Sequence, residues 1–105
     1  SLTAYVSVPL PAFATSSVGA YLDTHGWVKY KRGEFTQAVP VLRRAAAESP
    51  ESKVVRFHLG MAQFKAGDRN EAITNLEKAL EGGAKFNGAD EARTALAELK
   101  GSNAG

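Results

Sequence analysis

The chain reads as all-α, a solenoid of stacked helix–turn–helix hairpins with about five helices and an extended N-terminal segment. Three observations predict this. The phrase HGWVKYKRGEFTQAV, starting at His25, returns in altered form as LGMAQFKAGDRNEAI, starting at Leu59, an offset of 34 positions. Between the breaks set by glycine and proline, apolar residues recur at helical spacing. Small residues stand at the same place in both copies, as close helix crossings require. A period of this length belongs to helical-hairpin repeats, units that cannot bury their apolar faces alone.

At that offset Gly26 meets Gly60, Lys31 meets Lys65, Gly33 meets Gly67, Ala38 meets Ala72, Leu42 meets Leu76 and Ala45 meets Ala79. Close substitutions fill the gaps: Tyr30 with Phe64, Glu34 with Asp68, Val39 with Ile73, Arg44 with Lys78. The first helix of the first unit runs through Tyr21–Lys31, with Leu22, Trp27 and Tyr30 on its apolar faces. Arg32-Gly33 ends it, since cations suit a helix C-terminus and glycine the left-handed position beyond it. The second helix spans about Thr36–Glu48. Val39, Leu42, Ala45 and Ala46 form its buried stripe, and Pro50 stops it. The second unit repeats the scheme as Val54–Ala66, Gly67 and Asn70–Glu81, closed by Gly82-Gly83.

Gly26 and Gly60 fall inside helices, where glycine costs about 1 kcal/mol relative to alanine. A helix accepts that cost where a neighbour must approach closely. Ala38, Ala45, Ala72 and Ala79 are small for the same reason, so each hairpin crosses at a glycine–alanine face.

The stretch GADEARTALAELK, residues 88–100, is a further helix. Ala92, Ala95, Leu96 and Leu99 make one apolar face, and Asp90 and Glu91 occupy its first turn, where anions favour the helix dipole. It is read as the polar-backed terminal cap that a solenoid needs, with Phe86 anchoring the loop before it. The closing GSNAG is expected to be a disordered tail. At the other end, Pro9 and Pro11 argue against a regular helix over residues 2–15. The first repeat therefore has an apolar edge without its regular neighbour, and residues 4–14 are expected to cover it as a strap or to swap onto another copy. Ala12-Phe13-Ala14 has the spacing of a signal-peptide end, but no basic region precedes it and prolines break the apolar run, so it is not read as a leader. The organisation expected is an extended segment over 1–18, repeat units over 19–52 and 53–86, a capping helix over 87–100 and a tail over 101–105.

These residues resemble the tetratricopeptide repeat family. Its pattern of Leu-Gly, aromatic, Gly, Ala, aromatic or Leu, Ala and Pro fits Leu59, Gly60, Phe64, Gly67, Ala72, Leu76 and Ala79. It fits Gly26, Tyr30, Gly33, Ala38, Leu42, Ala45 and Pro50 in the first unit. Departures are His25 in place of Leu, Leu22 and Arg56 in place of Trp, and Ala84 in place of the closing Pro. The resemblance implies a right-handed superhelix whose first helices line a concave groove. Carried over by position, that groove takes Asp23, Trp27, Tyr30 and Lys31 from unit one and Phe57, Met61, Phe64 and Lys65 from unit two. The result is an aromatic floor with two lysines at its edge. One subgroup of the family grips C-terminal carboxylates through asparagines; here those positions are Trp27 and Met61, so that clamp is not expected.

The implied function is a non-enzymatic protein–protein interaction module that binds an apolar peptide or partner segment, helical or extended, in the groove. The alternative is a structural piece, a fragment of a longer repeat array, that self-associates through its N-terminal segment as a homodimer. No cofactor and no metal are expected. His25 and His58, the two histidines of the chain, lie at different helical positions with no third ligand at metal spacing, and read as packed or hydrogen-bonded residues. No nucleophile–base arrangement emerges from the sparse serines. The formal charge of +2 is too small and too mixed for nucleic acid, and no apolar run reaches membrane-spanning length. The absence of cysteine is compatible with cytoplasm and periplasm alike.

Overall fold

The computed structural model describes the backbone of residues 12–104 and the side chains of residues 18–101. Among the described residues there are five α-helices and no strand: α1 (Ala12–Lys31), α2 (Phe35–Glu48), α3 (Lys53–Ala66), α4 (Arg69–Leu80) and α5 (Ala89–Ala104). A short 3-10 turn, Glu81–Gly83, follows α4.

Each helix packs on the next, and the first helices of successive units also touch, α1 against α3 and α3 against α5. The helices α2 and α4 form an outer row, bridged by a salt link from Arg43 to Glu71 at 2.8 Å. The backbones of successive members of the inner row α1, α3 and α5 approach closely, whereas those of α2 and α4 in the outer row do not.

The turns follow the glycines. Gly33 and Gly67 take φ of 82° and 92°, the left-handed conformation that ends α1 and α3 at equivalent points of the two units. Ser52 caps α3, its hydroxyl accepting from the Val55 amide at 3.2 Å. Pro40 sits inside α2 on its exposed face, where its missing N–H removes one helix bond without facing the core.

The hairpin crossings are as tight as the small residues require. A Cβ built on Gly26 would lie 2.5 Å from Leu42 Cγ, and one on Gly60 would lie 2.8 Å from Leu76 Cγ. Ala38, Ala45, Ala72 and Ala79 are fully buried beside them. Two core clusters result. The first joins Leu22, Val39, Leu42, Val55, Leu59 and their neighbours across α1, α2 and α3. The second joins Phe57, Met61, Leu76, Ala92, Ala95 and Leu99 across α3, α4 and α5.

Two expectations are corrected, and a third falls mostly outside the described residues. Residues 12–18, expected to be extended, are the first turns of α1; the prolines at 9 and 11 precede that helix in sequence rather than interrupt it. The strap expected over residues 4–14 otherwise falls on residues 4–11, outside the described residues. The tail expected from residue 101 is helical through Ala104, because Gly101 continues α5 without a turn conformation. Arg69 on α4 donates to the Leu99 carbonyl and so fastens this part of α5 to the preceding helix.

The apolar edge expected on the first unit is present on α1. Tyr21, His25 and Val28 correspond by the repeat offset to Val55, Leu59 and Ala62, which α2 covers on α3. Tyr21 and Val28 are 69% and 50% exposed, whereas Val55, Leu59 and Ala62 are 5%, 3% and 0% exposed. This explains the departure at His25: a polar residue is tolerated where, among the described residues, no helix is packed over it.

Candidate functional site

The residues expected to line a groove lie on α1 and α3, and not all of them reach the surface. Trp27 is the hub. Its ring stacks on Tyr30 at 4.3 Å and on His58 at 3.9 Å between centroids, and tilts against Phe57 at 5.6 Å. Lys31 Nζ lies 5.1 Å above the same indole. Tyr30 also takes an edge contact from Phe35 at 5.4 Å. On α3, Lys65 Nζ lies 5.3 Å from the Phe64 ring. These are cation–π distances, so both lysines expected at the groove edge are folded over aromatic faces.

Phe57 does not line the groove. It is 2% exposed, and the loop before α5 closes over it: Phe86 is 5.4 Å away, and a Cβ on Gly88 would fall 2.5 Å from the ring. With φ of 107°, Gly88 supplies both the turn and the room. Met61, 3% exposed, lies at the floor between α3 and α5 and offers little surface of its own.

Asp23 is also drawn away from a ligand role. His58 Nδ1 donates to Asp23 Oδ1 at 2.6 Å, with both side chains mostly buried. The pair ties α1 to α3 beneath Trp27, in keeping with the reading of His58 as a hydrogen-bonded packing residue. The Tyr30 phenol is held above its usual pKa, first by burial and then by the negative charge of Glu91, so it is a neutral hydrogen-bonding group.

What remains open is a cleft of about 300 Å³ lined by Tyr30, Met61, Phe64 and Lys65 on one side and by Glu91, Thr94, Ala95 and Glu98 of α5 on the other. The contribution of α5 was missed when that helix was read only as a cap. A signal existed: carrying the offset of 34 one step further from Phe57, Met61 and Phe64 lands on Glu91, Ala95 and Glu98. The helix is thus both a cap for the second unit and the far wall of the cleft.

The opposite face carries a chain of hydrogen bonds that the sequence did not announce. Arg56 donates to Asn75 Oδ1 at 3.2 Å, Asn75 donates to Gln63 Oε1 at 2.7 Å, and Gln63 donates to Glu71 at 3.0 Å. Arg43 closes the chain on the same Glu71 oxygen. Gln63 and Asn75 are buried, and each finds its partner in the other, which satisfies the demand of polar groups withdrawn from water. The network sets the register of α2, α3 and α4 and presents no reactive group. Among the described residues no cluster of three His, Cys, Asp or Glu is placed to hold a metal ion. No described helix is long and apolar enough to cross a membrane.

A family model described as tetratricopeptide repeat matches residues 29–99, more than half of the chain. No curated protein and no solved structure matches the chain significantly.

Proposed function

The chain belongs to the tetratricopeptide repeat family, whose repeats mediate protein–protein interaction, and from that premise we propose that it is a non-enzymatic module binding an apolar segment of a partner protein in the cleft between α1, α3 and α5. The observation that carries the proposal is that the half-buried rings of Tyr30 and Phe64 line a cleft of about 300 Å³, room for one or two apolar side chains, with Trp27 stacked on Tyr30 beside it. Aromatic anchors in a concave site are the usual energetic centre of an interface. Asp23 and His58 bond to each other outside the lining of the cleft, and Tyr30 within it is kept neutral. The groove set that supports binding is Trp27, Tyr30, Lys31, Phe64 and Lys65, with Asp23, Phe57 and Met61 holding them in place from below.

Affinity capture with wild type beside Phe64→Ala and Trp27→Ala, each checked by circular dichroism, tests this. Partners retained by wild type and lost by a folded Phe64→Ala variant are expected. Partners retained equally by all three would remove the cleft from the account.

A second reading rests on the α1 edge, which no described helix covers. Tyr21 and Val28 form an exposed apolar stripe whose counterpart on α3 is buried by a helix, so a second copy of the chain has a surface on which to pack. Light scattering across a concentration series would show a monomer–dimer transition abolished by Tyr21→Glu; a monomer at every concentration would dismiss it.

A further inference from the structure

The charges around the cleft are sorted by side. Lys31 and Lys65 stand on the α1 and α3 rim, and each ammonium is folded over an aromatic ring at 5.1 and 5.3 Å. Glu91 and Glu98 stand on α5, seven residues apart and so on one face, separated by about 10 Å at 1.5 Å of rise per residue. Both are exposed. Among the described residues neither makes an ion pair, although their neighbour Asp90 pairs with Arg93 at 2.8 Å, and Glu34, Glu71, Glu77 and Glu81 are all paired. Among the described residues Lys31 and Lys65 make no ion pair either, so the unpaired charge is positive on the α1 and α3 rim and negative on the α5 wall. The field of the acidic wall reaches the interior, since Glu91 contributes to raising the Tyr30 pKa, after burial.

Building on the cleft reading above, we propose that the partner segment is amphipathic and basic on one side, with an apolar side chain seated between Tyr30 and Phe64 and Lys or Arg side chains lying along α5 opposite Glu91 and Glu98. Two basic residues at i and i+7 of a helix, or at i and i+3 of a polyproline II segment with its three residues per turn, match the spacing of about 10 Å. The lysine rim repels the same cations, so the two walls together fix the direction in which the segment lies. Complementary charge sets orientation and rejects wrong partners more than it adds raw affinity. A partner with acidic side chains on both flanks would meet Glu91 and Glu98 unfavourably and is excluded by the same arrangement.

A random-peptide library selected on wild type, on Glu91→Lys/Glu98→Lys and on Phe64→Ala tests the proposal, with the selected peptides then synthesised for anisotropy titration. The two glutamates are exposed, and circular dichroism checks that their replacement leaves the fold intact. Wild type is expected to enrich peptides with an apolar anchor and Lys or Arg beside it. The charge-reversed variant should bind those peptides about tenfold more weakly, the product of two exposed charge pairs, and enrich Asp or Glu in their place. Peptides that need Phe64 but show no charge preference would overturn the basic-partner proposal while leaving the cleft reading in force. Enrichment unaffected by Phe64→Ala, or none at all, would overturn both.

Discussion

Leu42 closes on the backbone of Gly26 so tightly that a methyl group on the glycine would sit 2.5 Å from its Cγ. The second unit repeats the arrangement between Leu76 and Gly60, where the Leu76 amide nitrogen is also only 3.2 Å from the position such a methyl would take. In an open helix, glycine to alanine gains up to about 1 kcal/mol. Here both Gly26→Ala and Gly60→Ala should instead lose about 1–3 kcal/mol, because the helices must part or the buried leucines leave their rotamers. Gly101, helical and with nothing within 4 Å, is the control: Gly101→Ala should be neutral or stabilising by up to about 1 kcal/mol. Urea denaturation of the three variants measures this, and the sign difference is the diagnostic.

The repeat offset makes a second prediction. Val55 and Tyr21 are equivalent in sequence register but differ from 5% to 69% in exposure. Val55→Ser should lose about 2 kcal/mol or more by placing a hydroxyl in the core, while Tyr21→Ser stays within about 0.5 kcal/mol. A large loss at Tyr21 would mean that the α1 edge is covered in solution.

On the outer face, Asn75→Ala leaves Gln63 and Arg56 without their shared partner and should lose about 1–3 kcal/mol. Arg43→Ala breaks an exposed ion pair with Glu71 and should lose no more than about 1 kcal/mol. Thermal melts of the two variants compare a buried link with an exposed one in the same network.

Burial and Glu91 hold the Tyr30 pKa above the ordinary 10.0. Between that value and the folded one, the unfolded chain releases the proton while the folded chain keeps it. The unfolded state then binds fewer protons, so stability falls as pH rises through this window. Tyr30→Phe removes the ionisation and should flatten the alkaline decline seen in denaturation at rising pH; Glu91→Gln should flatten it in part.

The hairpins were legible in the sequence because their determinants are local. Gly33 and Gly67 mark the turns, and Gly26 with Leu42 and Gly60 with Leu76 mark the crossings at fixed spacing. The groove was legible in part. Trp27, Tyr30 and Phe64 lie where the period puts them, but Phe57 sits at an equally favourable position and is buried, because a loop some thirty residues downstream folds over it through Phe86 and Gly88. Helical periodicity says which residues share a face and not what covers that face. The same gap hid the Asp23–His58 bond and the Gln63–Asn75 pair, which join residues distant in sequence whose types suggest nothing of each other. The start of α1 was misjudged for a different reason: prolines that forbid a helix through them are compatible with one beginning just after them.

Site-specific photo-cross-linking tests the central claim most directly. A photoreactive residue replaces Thr94, on the α5 wall of the cleft, or Thr74, exposed on the outer helix α4. The account predicts a cross-linked partner from Thr94 that disappears with Phe64→Ala, and none from Thr74. Equal cross-linking from both positions, or a product from Thr74 alone, would contradict a partner seated in the cleft.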